Sequence, residues 1–368
     1  MTYPVLPHLV TTLSIAERTD QTLAAEPLLA VTFILASVVG IVAFMSLMGL
    51  GLVYAERKVA AHFQCRLGPM RVGWHGTLQT IADAVKLVMK EDTVPSGADR
   101  ALFFLAPVMS ILATVLALIV IPFSPGLQII DIEVGILYLA AVSGFGVLGI
   151  LLGGWSSNNK WSLLGAMRSG AQFVSYEISV TMSLLVVSLF AGSMQLSEIV
   201  ASQQSGWWIW RGHVPAIIGF LTLLIASTAE INRAPFDLPE AESELTGGFH
   251  TEFSGIRFAF FFLAEYINMF ITAAISATLF LGGWMPLHIG SFETFNRVMD
   301  FIPPVVWFFG KTALLIFLMM WVRWTFPRLR VDQLMRLEWK VLVPVSFVNL
   351  LITSVFIFAG FYFYAGGK

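Results

Sequence analysis

TAEINRAPFDLPEAESELTGGFHTE, residues 228–252, sets Glu230, Asp237, Glu240, Glu242, Glu244 and Glu252 between two stretches apolar enough to cross a bilayer, 214–230 before it and 258–281 after it. Acidic loops are common, but here the acids begin inside one apolar run, at Glu230, and resume inside the next, at Glu265. Ionisable groups at membrane depth are costly to keep charged and mark functional positions by default. Six further runs have the same character: 28–54, 101–121, 134–153, 172–192, 303–322 and 341–364. Crossing about 30 Å of hydrocarbon takes about 20 helical residues. Lipid satisfies no backbone hydrogen bonds and no barrel-like alternation is present, so the spans must be helices. The expected fold is an all-α polytopic membrane protein of eight transmembrane helices forming a single integral membrane domain over residues 1–368.

Composition agrees. The chain is 57% hydrophobic and 12% charged, against about 25% charged in ordinary soluble domains. Basic residues set the orientation, because short cytoplasmic loops carry excess Lys and Arg. The segments after spans one, three, five and seven hold 7 (55–100), 2 (154–171), 2 (231–257) and 5 (323–340) of the 21. Both termini are therefore expected outside, with the acidic loop 231–257 in the cytoplasm. The first 27 residues show no basic region followed by a short apolar core, and no cleavable signal peptide is expected.

The lone Cys65 excludes an intrachain disulfide, a thiolate-ligated iron–sulfur cluster and a Cys-rich zinc site. All six histidines lie outside the apolar runs, which argues against a haem pair within the membrane. Neither a dinucleotide-binding glycine pattern nor a P-loop is present. No metal site or nucleic-acid contact is expected.

Within 55–100, residues 77–90 read as an amphipathic helix at the membrane surface. Leu78, Ile81, Val85 and Val88 recur at helical steps, while Gln79, Asp83, Lys86 and Lys90 fall mostly elsewhere. It either rests on the bilayer or walls a way in from lipid. In the acidic loop, a helical turn begun by Pro239 would put Glu240 and Glu244 on one face, where they repel and hold protons as a coupled set. The plainer reading is a solvated loop partnered by Arg233 and Arg257. Glu177 and Glu265 favour the first, lying five and seven residues inside their runs, roughly 8 to 11 Å deep. With Glu230 they outline a polar path into the membrane, with Lys311 expected near its inner end. At the end of span one, Glu56, Arg57, Lys58 and Arg66 either reach for headgroups or line a site for a polar-headed, lipid-soluble molecule. Phe260, Phe261 and Phe262 would supply its apolar wall.

Four segments carry a specific resemblance: ERK-x7-R-x-GP (56–69), ADAVKLVMKED (82–92), LLGAMRSGAQFVSYE (163–177) and AEINRAPFDLPEAESELTGGFHTE (229–252). Together they resemble the H-subunit family of bacterial NADH:quinone oxidoreductase, respiratory complex I, and its first mitochondrially encoded counterpart. The likeness runs from span one to span eight. It implies a multi-pass subunit of the bacterial inner membrane that joins a peripheral redox arm to a membrane arm and forms much of a quinone chamber. Quinone, with ubiquinone expected, would be substrate; no cofactor would be held permanently. Flavin and iron–sulfur clusters would sit in partner subunits, and small membrane subunits would lead on to antiporter-like ones. By motif position, Glu56, Arg57, Arg66 and Asp83 would line the quinone path. Glu177, Glu230, Asp237, Glu240, Glu242, Glu244, Glu252 and Glu265, together with Lys311, would couple reduction to proton translocation. Two alternatives are a related quinone-independent subunit of membrane-bound hydrogenases and an ion-coupled secondary transporter. The latter often shows inverted repeats and broken helices, which this sequence lacks.

Overall fold

Asp99 and Asn159 show how the polar punctuation of this chain starts its helices. Asp99 accepts hydrogen bonds from the amides of Ala101 and Leu102 and opens one long helix; Asn159 accepts from Trp161 N at 2.9 Å and opens another. Gly192, in the left-handed region at φ 71°, closes the second. The computed structural model describes residues 14–19, 27–204, 206–238, 246–288 and 292–359. The long helices are α1 (Pro27–Phe63), α2 (Gln79–Met89), α3 (Arg100–Val120), α4 (Gly135–Ser156), α5 (Lys160–Ala191), α6 (His213–Glu230), α7 (Gly255–Phe280), α8 (Pro304–Thr325) and α9 (Val343–Phe358). All but α2 belong to segments long and apolar enough to cross a membrane, and there are eight such segments among the described residues. A helical lead-in, Val331–Leu337, runs into α9 through one turn of π-helix, Glu338–Leu342.

Three helices extend well beyond the apolar runs. α5 begins at Lys160 rather than 172, because Asn159 caps it and its first turns bury Ser162, Gly165, Ser169 and Gly170, small residues that hydropathy does not count. α1 continues past 54 to Phe63 around Glu56, whose carboxylate has partners inside the protein. The last segment begins at Val331, ahead of the expected 341.

Small residues also set helix separation. A Cβ on Gly149 of α4 would lie 2.3 Å from Ser110 Oγ and 2.8 Å from the Ala106 carbonyl oxygen of α3, so only glycine permits this approach. The main core gathers residues from α1 and α3 to α8, with Phe44 of α1 edge-on to Phe270 of α7 at 5.4 Å. Glu56 meets Arg233 and Arg323, Asp92 meets Arg257, and Asn159 meets Glu252. These contacts collect the loops after spans one, three, five and seven at one end of the bundle.

Candidate functional site

At that end four charges from four parts of the chain meet, Glu56 and Arg233 buried and Glu265 and Arg323 partly so. Glu56 projects from α1, Arg233 follows the end of α6, Glu265 lies ten residues into α7, and Arg323 stands in the last turn of α8. Arg233 donates through Nη1 to Glu56 at 2.9 Å, and its Nε lies 2.8 Å from Glu265. Arg323 donates to the other oxygen of Glu56. The Arg233 guanidinium also stands 4.2 Å from the centre of the Tyr266 ring. Burial alone would depress its pKa, but Glu265 and Glu56 outweigh that and raise it, so the guanidinium stays charged. Two carboxylates and two guanidiniums make the group neutral as a unit, which is how ionised side chains persist under burial.

Arg233, Glu265 and Arg323 of this cluster line a cavity of about 380 Å³. Glu230, Asn232, Arg233, Glu265 and Arg323 supply the polar side; Phe249, Phe258, Phe261 and Phe262 supply an aromatic one. Of the three phenylalanines expected to form an apolar wall, Phe261 and Phe262 line this cavity and Phe260 does not. Glu230 has Ser143 beside it and lies close enough to Glu177 to interact with it. Glu177 shares the α5 face of Phe173, Val180 and Leu184, which line the cavity. Asp237 lies close enough to Glu265 to act on it electrostatically.

The two residue sets read separately in the sequence are therefore joined in one case and divided in others. Glu56, expected on the quinone path, and Glu265, expected in the acidic route, share one arginine. Arg57 instead pairs with Asp83 of α2 in a half-exposed contact, while Arg66 is exposed and donates to Gln64 at 2.6 Å. Ile81, Val85 and Val88 of α2, and Leu78 just ahead of it, are exposed. Glu252 accepts from Asn159 Nδ2 at 2.6 Å and does not line the cavity. Glu240, Glu242 and Glu244 lie outside the described residues, as does the face expected of Glu240 and Glu244. Lys311 is placed elsewhere: its ammonium donates to the carbonyls of Leu281, Gly283 and Met285, past the far end of α7. That is about 24 Å of helix from Glu265, so Lys311 stands apart from the Arg233 cluster. Measured from the helix starts, Glu177 and Glu265 lie about 26 and 15 Å along α5 and α7.

Arg233, Arg323 and Tyr266 were missed. Arg233 reads as a loop partner and Arg323 as one basic residue of a cytoplasmic loop. The signal available was that each follows an apolar run by at most three residues, where a charge has to find a partner or water.

His250 also lines the cavity, and burial lowers its pKa from 6.5 to about 4. It is therefore neutral at pH 7. Between 6.5 and about 4 the unfolded chain binds a proton that the folded one refuses, so this contribution is full above the window and is lost as pH falls through it. His250→Gln should flatten the acid side of the heat-inactivation profile. Comparing inactivation near neutrality and midway through the window checks it; an unchanged acid slope would count against a buried neutral imidazole.

The sequence profile of the NADH dehydrogenase family matches residues 36–354. The chain belongs to that family. The NADH-quinone oxidoreductase H subunit of Bacteroides thetaiotaomicron is 56% identical over 323 residues, 88% of this chain and 90% of the relative. The H subunit of Anoxybacillus flavithermus is 52% identical over 305 residues, 82% and 87% of the two chains, and that of Brevibacillus brevis 48% over 328, 89% and 92%. This chain is accordingly a membrane subunit of an oxidoreductase complex, and other subunits of that complex are its partners. The family covers α1 to α9 and takes in Glu56, Arg233, Glu265 and Arg323.

Proposed function

We propose that this chain forms much of the quinone chamber of its complex, and that the Arg233 cluster carries the response to quinone reduction toward the membrane carboxylates. The observation that carries the reading is the shared arginine: one guanidinium holds Glu56 of α1 and Glu265 of α7 beside an aromatic-walled cavity. A quinone needs an apolar surface for its ring and tail and polar groups for its carbonyls, and this cavity offers both.

Reduction to quinol takes up two electrons and two protons, so local charge changes whenever electrons and protons arrive out of step. At an effective dielectric constant of about 20, one charge about 10 Å away contributes about 1.7 kcal/mol. That exceeds the 1.36 kcal/mol of one pKa unit, enough to change a carboxylate's proton occupancy about tenfold. A neutral cluster of four charges answers such a change by shifting a proton or a side chain. Glu177, Glu230, Asp237, Glu240, Glu242 and Glu244 are the acids to which the response passes, and Arg57 with Asp83 lies along the way in from lipid under α2. The orientation proposed is both termini outside, with the cluster toward the cytoplasmic face of a bacterial inner membrane. The electrons reach the quinone from iron–sulfur clusters and flavin in peripheral partner subunits.

The test is Glu265→Gln in the assembled complex. Inhibitor-sensitive NADH:quinone reduction should fall by at least about tenfold, while NADH oxidation by a soluble artificial acceptor stays at the wild-type level. Equal and undiminished rates in both assays would overturn the reading.

A further inference from the structure

A second polar lane leaves the cavity along a different face of α5. Ser169, Gln172, Tyr176, Ser179 and Ser183 recur at steps of three and four, which puts them on one stripe of the helix, and all five are buried. Glu177 is not on it. The stripe begins at the cavity, where Asn232 donates from Nδ2 to Ser169 Oγ at 3.3 Å. Gln172 then donates to the carbonyls of Ala229 and Phe236 at 2.6 and 2.9 Å, and Tyr176 donates to the Leu334 carbonyl at 3.0 Å. Ser179 donates to Glu338 Oε1 at 2.5 Å.

Glu338 is the end of the lane. It is 0% exposed and stands at the first position of the π-helical turn that leads into α9. Its second oxygen, Oε2, is buried without a hydrogen-bond partner, as is Gln172 Oε1 on the same stripe. Tyr176 faces it from α5. The other charged or titratable groups on the surrounding elements are Lys160, Arg168 and Glu177 on α5, His213 and Glu230 at the two ends of α6, Arg233 and Asp237 beyond it, and Asp332, Arg336 and Lys340 on its own segment, the last three exposed. Among the described residues, no Lys, Arg or His forms an ion pair with Glu338. An ionised carboxyl buried without a cation is costly, and such groups in membrane helices mark proton sites. π-turns likewise concentrate at functional positions.

We infer that Glu338, with Ser179, is a proton-binding site that takes up and releases one proton as the complex turns over, reached from the cavity along the polar face of α5. The proton adds to the carboxylate from the cavity side and returns there, and no other bond changes. The inference deepens the coupling reading and rests on it only in requiring that the chain respond to quinone reduction.

The experiment is the reduction-induced infrared difference spectrum of the whole complex, in ordinary and in deuterated water. Glu338→Gln should remove one protonated-carboxyl band, a band that moves on deuteration in the wild type. Ser179→Ala should shift the same band without removing it. Wild-type and Glu338→Gln spectra that superimpose would overturn the site, as would a band indifferent to Ser179. Should Glu338→Gln fail to assemble, Ser179→Ala decides alone: a shifted carboxyl band supports the site and an unshifted spectrum ends it. The two readings fail separately, since full quinone reduction in Glu265→Gln alongside a lost band in Glu338→Gln would sink the Arg233 coupling and leave this site standing.

Discussion

Arg233→Met is expected to abolish inhibitor-sensitive quinone reduction and to lower the yield of assembled complex. The substitution removes the cation that serves one buried carboxylate, Glu56, and one largely buried one, Glu265, and the consequences for them differ. Glu56 keeps Arg323, whereas Glu265 loses its only ion-pair partner among the described residues. Leaving one member of a buried pair uncompensated costs about 3–5 kcal/mol, a large share of the 5–15 kcal/mol by which folded proteins commonly exceed their unfolded states. Arg233→Met with Glu265→Gln should therefore recover most of the lost assembly, because the uncompensated charge is gone, and should not recover quinone reduction. Arg233→Lys keeps a charge but loses the planar fork that reaches Glu56 and Glu265 from different nitrogens, and should fall between wild type and methionine. Assembled complex measured against activity per assembled complex checks all three. A double variant that regains assembly and full quinone reduction would remove the cluster from the mechanism.

The eight spans were legible because hydropathy over about 20 residues reports one physical fact, the cost of placing polar groups in lipid. Helix ends were less so, since α5 begins at a cap residue, Asn159, and buries serines and glycines that count as polar or neutral. The candidate site was half legible. Glu56 and Glu265 stood out as carboxylates within or beside apolar runs, but nothing in a linear reading says that the end of α1 and the first half of α7 meet. Their joining depends on Arg233 standing between them, and that is a property of packing. Glu338 shows a different obstacle. It lies ahead of the last apolar run and reads as part of a loop, yet the helix starts earlier and a π-turn shifts the phase by which its buried face would be read. Part of the matching stripe on α5 was readable, with polar residues at 172, 176, 179 and 183 inside an apolar run, while Ser169 lies in the part of α5 ahead of that run.

Lys311 separates the sequence's expectation from the structure's most sharply, and Lys311→Met should show which governs. A lone lysine in an apolar run reads as a member of a charge path, but its three donors are all taken by carbonyls just past α7, and its ammonium stands 4.3 Å from the ring centre of Trp207. Backbone carbonyls in a buried turn past a helix end need a donor, and an ammonium at its centre satisfies all three. Methionine fills similar space and brings no donor, so three buried carbonyls lose their partner. Each orphaned group costs about 1–3 kcal/mol, offset in part because the buried charge itself disappears. A net loss on the order of 3 kcal/mol is expected, read as lower assembly and earlier heat inactivation. Quinone reduction and the proton-to-electron ratio per assembled complex should stay within about twofold of wild type, a difference under about 0.5 kcal/mol in barrier. Lys311→Arg should also destabilise, because a planar guanidinium cannot aim three donors at carbonyls grouped around a single ammonium nitrogen. Normal assembly with a reduced proton-to-electron ratio would instead put Lys311 among the proton-carrying groups and require the route to run the length of α7.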